Sequence, residues 1–268
     1  MAQPSKDEIQ VVLEAVKNIP ALEAELARRQ QYKIRRFFPA EGPYRRELYP
    51  KFLSFFRAGA VHRERAIIAG NRVGKSQTLL YEIVTHATGE YPDWWEGRRF
   101  TGPVNVWLAG KTSTTTKDIL QVGLLGPDGQ FGSGMIPGRH IHHVQMKAGA
   151  TSGTAGTIWV RHVSGGLSCI QLKSYDQGRG AFEGTSQHIV ACDEEPPLDV
   201  YTEMLLRTMA TGQQGDPGAF TGGMLMMTFT PLEGMSKVVL RFLPNGSFPP
   251  DGIVRDDRTE IDDAVGVR

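Results

Sequence analysis

Cysteine is scarce: the 268 residues carry only two, Cys169 and Cys192, and both lie in apolar, strand-like runs. Two thiols make no disulfide framework, so buried, reduced cysteines in a soluble intracellular protein are expected. An excess of charge is missing too, since 30 Lys and Arg stand against 29 Asp and Glu, a formal net charge of +1. No global field drives such a chain onto nucleic acid or a membrane surface, and any contact of that kind must use a local patch. The N-terminus is polar and no apolar run approaches the ~18 residues a bilayer demands, so neither secretion nor membrane insertion is expected. No internal repeat is present. Apolar residues, by contrast, make up 40% of the chain, enough for one large domain with a sizeable core.

Three parts are expected: a helical segment over 1–43, an α/β core over 44–245 and a linker-like tail over 246–268. Ser5 with Glu8 forms a capping box, and Ile9, Val12, Leu13 and Val16 recur at helical spacing until Pro20. A second helix is expected over 21–31. Residues 32–38 mix basic and aromatic side chains, which suits a phosphate backbone but also an ordinary solvated helix end. From Arg65 onward short apolar runs alternate with helical patterns, as in βαβ units around a parallel sheet. Strands are expected over 66–69, 104–108, 188–192 and 224–229, with helices ending at Gly89 and beginning near Asp199. Residues 157–163 and 168–174 read as a hairpin turned by Gly165 and Gly166. The glycine-rich stretch 123–156 is weakly patterned and expected to be irregular.

Ala69-Gly70-Asn71-Arg72-Val73-Gly74-Lys75-Ser76 has Walker A spacing, with Ala in place of the first Gly, between an expected strand and an expected helix. Backbone N–H groups from Gly70 to Ser76 can wrap an anionic phosphate at the positive end of that helix. Gly74 admits close approach, Lys75 brings a point charge to the β and γ phosphates, and the Ser76 hydroxyl is a Mg²⁺ ligand. The nucleotide-binding set is thus Gly70, Asn71, Arg72, Val73, Gly74, Lys75 and Ser76, with ATP and Mg²⁺ as the expected ligands. An apolar run, Ile189 to Cys192, then delivers Asp193 and Glu194 to a strand end, where open α/β sheets place their ligands. Asp193 would hold Mg²⁺ through its water shell and Glu194 would orient and polarise an attacking water. Glu195 is expected to cap the helix that follows Pro196 and Pro197.

The segment 70–76, Asp193-Glu194-Glu195-Pro196-Pro197 and Thr228-Phe229-Thr230-Pro231-Leu232 together resemble the large terminase subunit of tailed bacteriophages. The likeness takes in Tyr49 to Phe56 and Ser174 to Arg179 as well, so it spans roughly residues 45 to 245. It implies an α/β fold of the additional-strand P-loop NTPase type, a mostly parallel central sheet flanked by helices. The activity it implies is Mg-dependent ATP hydrolysis driving double-stranded DNA into a procapsid. The partners it implies are double-stranded DNA, a portal protein and a small terminase subunit. A homo-oligomeric ring, a pentamer, would form when active, in the host cell cytoplasm at the procapsid portal, with a monomer left open for the isolated chain.

Coupling of hydrolysis to movement would fall on Thr230, since a hydroxyl at a neighbouring strand end can sense the terminal phosphate. The arginine that neutralises transition-state charge is either Arg179, in the glycine-flanked loop 177–180 and able to reach a neighbouring subunit, or Arg72 within the phosphate loop. Tyr49 is the candidate adenine contact among the aromatics Tyr44, Tyr49, Phe52 and Phe55. Large terminases normally continue into a nuclease domain. Asp251, Asp256, Asp257, Glu260, Asp262 and Asp263 lack the intervening strands that would converge them, so no DNA cleavage is expected of this chain. A helicase-like DNA-dependent ATPase and a non-enzymatic ATP-binding scaffold are the competing readings. His140, His142 and His143 cluster without acidic or cysteine partners at ligand spacing, a poor zinc site.

Overall fold

A parallel strand covered on both faces has to be apolar along its length, and Ile189–Asp193 and Met224–Phe229 are buried at every position. The computed structural model describes residues 16–20, 22, 33–148, 153–210, 221–232, 234–243 and 246–247. In it these two segments are the sixth and seventh strands of a single sheet: β1 Glu64–Ile68, β2 Asn105–Gly110, β3 Ile141–Met146, β4 Ala155–Arg161, β5 Leu167–Ser174, β6 Ile189–Asp193 and β7 Met224–Phe229. The spatial order is β1-β7-β6-β2-β5-β4-β3. From β1 to β5 every pairing is parallel, and β5, β4 and β3 continue as an antiparallel meander. Insertion of β7 between β1 and β6 is the additional-strand arrangement of a P-loop NTPase.

Helices cover both faces: α1 Lys33–Arg36, α2 Pro50–Ala58, α3 Lys75–Thr88, α4 Ser113–Thr115, α5 Val122–Leu125, α6 Leu198–Arg207 and α7 Lys237–Phe242, with a π-helical stretch Thr116–Gln121 joining α4 to α5. Alternation along β6 sends Ile189 and Ala191 into one core, with Leu79, Leu80, Ile83 and Val84 of α3, and Val190 and Cys192 into the other, with Met204 of α6 and Val239 of α7. Both cysteines are free and buried; burial pushes the Cys192 thiol up to about 12, which makes it inert. Beneath α3 lies a buried ionic network. Arg65 donates to both Glu82 oxygens at 2.8 and 3.3 Å, and His86 Nε2 lies 3.3 Å from Glu82. Burial works against ionisation of Glu82, but Arg65 and His86 outweigh it and hold the carboxyl below its ordinary range.

Residues 33–38 fit the reading of an ordinary helix end, with Arg35 and Arg36 exposed on α1 and the aromatics turned inward: Phe38 is buried edge-on against Tyr81 and Phe56, Phe37 stacks on Tyr81, and Arg35 pairs with Glu90. Residues 123–156 are not wholly irregular, because Ile141–Met146 pairs with β4 as an edge strand. Its weak apolar pattern follows from a half-exposed position with register irregularities on either side of His143–Gln145. Gly165 and Gly166 adopt positive φ, 93° and 76°, and turn the expected hairpin between β4 and β5, with the first strand displaced to 155–161 from the expected 157–163. The expected capping box at Ser5, the helix over 21–31 (Leu22 apart) and the acidic residues from Asp251 lie outside the described residues. Among the described residues no helix is long and apolar enough to cross a membrane.

Candidate nucleotide site

Arg72 and Glu194 are the non-glycine residues in left-handed backbone among those described, with φ of 63° and 71°. Such a conformation costs on the order of 1–3 kcal/mol and persists where surrounding structure imposes it, commonly at functional sites. Here both lie at one edge of the sheet. Arg72 is in the turn from β1 to α3, and Glu194 follows β6 directly. Gly74, with φ of 96°, ends the turn and caps α3.

Among the described residues, no N–H group from Gly70 to Ser76 donates to a protein acceptor. A row of free donors at a helix N-terminus is the cradle that a phosphate chain requires. Phe52 lies against Gly74, whose added Cβ would stand 3.6 Å from the ring, and Tyr49 stacks on Phe52 at 6.0 Å with planes 3° apart. The Tyr49–Phe52 pair therefore sits beside the loop. Phe55 is buried with the Arg65 guanidinium over its ring, and Tyr44 is exposed.

Opposite the loop, Ser76 Oγ donates to Asp193 Oδ1 at 2.7 Å across 117 residues of sequence. Thr228 Oγ1 donates to the same oxygen at 3.0 Å. Burial raises the Asp193 pKa, against Ser76, Thr228 and Lys75, which lower it; the carboxylate is short of positive charge. A hydroxyl and a carboxylate on one side of a phosphate cradle are hard oxygen donors that fit Mg²⁺. Lys75 is drawn back onto the loop, donating to Gly70 O at 2.7 Å, Ala69 O at 3.1 Å and Thr230 Oγ1 at 3.0 Å. Thr230 Oγ1 in turn lies 2.9 Å from Ala69 O and 2.8 Å from Asn71 Oδ1. Thr228 and Thr230 stand two apart, so both face the site from the end of β7.

Glu194 is anchored through its backbone. Its N–H donates to Thr228 O at 2.8 Å and its carbonyl accepts from Tyr175 Oη at 2.9 Å. The half-buried carboxyl is raised by burial and by neighbouring Asp193, while Lys75, Lys111 and the Thr230 N–H act the other way. Glu195 does not cap the helix after the prolines. It accepts from Ser236, the residue that caps α7, because that helix packs across the strand end.

Arg179 stands apart from these groups. Its Nε and Nη2 donate to the buried carboxylate of Glu203 on α6 at 3.1 and 3.0 Å, and Arg207 holds the other oxygen at 2.7 Å. Arg72 is exposed at the loop. Of the histidines, His140 Nδ1 lies 2.7 Å from Arg161 O and His142 Nδ1 3.2 Å from the Arg161 guanidinium. No group of three or more metal-ligating side chains forms among the described residues. Lys111 had no sequence signal as a site residue, and Tyr175 had only its place in the segment Ser174 to Arg179 of the resemblance. Thr228 had a faint one in its alternation with Thr230.

The solved large terminase of phage HK97 is similar to this chain with a TM-score of 0.47 at 14% identity, covering 81% of this chain and 40% of that one. The large terminase ATPase domain of Thermus phage P74-26 gives 0.44 at 14% identity, covering 73% and 72%. The large terminase subunit of Salmonella phage P22 is 36% identical over 219 residues, 74% of this chain and 42% of that protein. The chain thus spans less than half the length of this curated relative. A family described as terminase large subunit, T4likevirus-type, N-terminal, matches residues 66–265, which include the phosphate loop, the Asp193–Glu194 pair and Thr230. On that match, the chain belongs to the terminase large subunit family and corresponds to its N-terminal part.

Proposed function

We propose that this chain is the ATP-hydrolysing motor of a phage DNA-packaging enzyme, driving double-stranded DNA into a procapsid. The observation that supports the reading is the 2.7 Å contact of Ser76 with Asp193, two residues from distant sequence that suit the two halves of a Mg-nucleotide site. Mg²⁺ bound there would offset charge on the β and γ phosphates. Ser76 and Asp193 hold it; the free N–H groups of Gly70, Asn71, Arg72, Val73, Gly74 and Lys75 cradle the phosphates; Lys75 exchanges its carbonyl partners for phosphate oxygens. Glu194 aligns the attacking water and takes its proton, a task helped by a carboxyl that burial has made more basic. Thr230, bonded to Lys75 and Asn71, registers the state of the loop. Tyr49 stacks on adenine. Charge on the transferred phosphoryl group is met by Arg179 from a neighbouring copy, once released from Glu203, or by Arg72 in the same chain.

A ring of about five copies at the portal protein, supplied with DNA by the small subunit in the host cytoplasm, is the assembly that suits a motor of this family. The test is ATP turnover with and without duplex DNA. Glu194→Gln should bind Mg-ATP within a few-fold of wild type yet hydrolyse it roughly 100-fold more slowly, as loss of a general base typically does. Lys75→Ala should lose binding. Strand separation would assign the chain to helicases; nucleotide binding without turnover, with or without DNA and portal, would leave an ATP-binding scaffold.

A further inference from the structure

β2 and β6 run parallel and side by side, with Ala109 paired to Cys192. Two residues beyond Ala109 the chain reaches Lys111, and two beyond Cys192 it reaches Glu194, so both leave the sheet from adjacent strand ends at the edge where the phosphate loop lies. Lys111 is exposed, and among the described residues it makes no ion pair or side-chain hydrogen bond. A lysine at a strand end usually drifts in solvent, but this one is mounted on a fixed turn. Thr112 and Thr115 exchange hydrogen bonds in a capping box, Ser113 donates its N–H to Asp176 at 3.0 Å, and Ser113 Oγ lies 3.0 Å from Ser174 Oγ. The neighbouring Tyr175 hydroxyl bonds the Glu194 carbonyl, so the segment holding the Lys111 turn also holds the Glu194 backbone.

We infer that Lys111 is a second phosphate-binding cation of the same chain, contacting the terminal phosphoryl group from the β2 side while Lys75 contacts it from the loop side. This rests on the reading of the site as an ATPase. Arg179, by contrast, is occupied by Glu203 within its own chain, and Arg72 belongs to the loop itself. A cation fixed on the β2 turn needs no partner subunit, so it would distinguish ATP from ADP before any ring assembles.

The experiment is calorimetric binding of Mg-ADP and of a Mg-bound non-hydrolysable ATP analogue to wild type, Lys111→Ala and Lys111→Arg. Lys111→Ala should bind the triphosphate analogue at least about 10-fold more weakly with ADP affinity unchanged, and Lys111→Arg should recover most of the difference. A ten-fold change corresponds to about 1.4 kcal/mol, within the range of a charge-assisted contact. Equal affinities of wild type and Lys111→Ala for the analogue, or equal losses for both nucleotides, overturn the assignment. Failure of the wild type to bind either nucleotide would instead remove the ATPase reading beneath it.

Discussion

Thr230 has a single hydroxyl proton and three neighbours, accepting from Lys75 while donating to Ala69 O or to Asn71. Its choice of partner depends on where the Lys75 ammonium sits, so under the proposed function the hydroxyl would change partner once phosphate drew Lys75 away. Thr230→Val keeps the shape and deletes the switch. Mg-ATP affinity should stay within a few-fold of wild type while DNA-stimulated turnover falls about 10-fold, the size of one lost charge-assisted hydrogen bond; unchanged stimulation would contradict the role. Elsewhere the decisive residue is Glu82, fully buried between Arg65 and His86. Glu82→Gln leaves a buried guanidinium without its counter-charge and should cost about 3–5 kcal/mol, read as a lower urea midpoint at constant slope. Arg65→Met combined with Glu82→Leu should restore most of that loss, because an apolar pair has no charge to strand.

Among the elements, α3 has to begin at the phosphate loop and stop before it meets the β4–β5 hairpin. Gly89 makes the stop with φ of 72°. A Cβ there would stand 2.5 Å from His162 Nε2 and 2.8 Å from Val163, and Val163 N–H donates to Thr88 O at the same corner. Gly89→Ala should therefore destabilise by roughly 1–3 kcal/mol and lower the melting temperature by several degrees, with nucleotide affinity preserved because the loop lies at the opposite end of α3. The end of the helix was legible because glycine at that position is a local requirement. The meander strand β3 was not: an edge strand buries few side chains, and its identity comes from hydrogen bonds to β4 that no local pattern encodes. Phe37 and Phe38 were open to two readings for a related reason, since basic neighbours make them resemble a surface feature while distant Tyr81 and Phe56 claim them for the core.

For the whole molecule, Glu90 ties three regions together. It receives Arg35 of α1 at 3.1 Å, Arg139 at 2.7 Å and His140 at 3.4 Å. The hydrogen bond to His140 comes first among the causes that depress its pKa to about 2, with Arg139 and Arg35 adding to it against burial. A carboxyl with a lowered folded-state pKa stabilises above the ordinary value near 4.5 and loses that contribution as pH falls through about 2. Because the arginines are largely exposed, solvent screening reduces the benefit to about 1 kcal/mol. Glu90→Gln should be less stable than wild type at neutral pH by that amount, and the two should converge in urea titrations as pH drops across this window; a gap independent of pH would remove Glu90 from that role. At the same scale, a net charge of +1 leaves no long-range pull on DNA, so duplex stimulation of turnover should be weak in the single chain and grow with assembly on a portal, where patches add.

The order of residues by itself determined the phosphate loop, the strand that carries Asp193 and the helix start at Lys75, because each depends on chemistry within a dozen neighbouring positions. Only the tertiary structure decided that β7 separates β1 from β6, that Thr228 and Ser76 share one Asp193 oxygen, that Glu203 holds Arg179, and that Lys111 emerges beside Glu194. Those relations are set by sheet order and register, which join segments 24 residues apart, as for Arg179 and Glu203, or 117, as for Ser76 and Asp193, through packing and hydrogen bonds that leave no trace in any one stretch of chain.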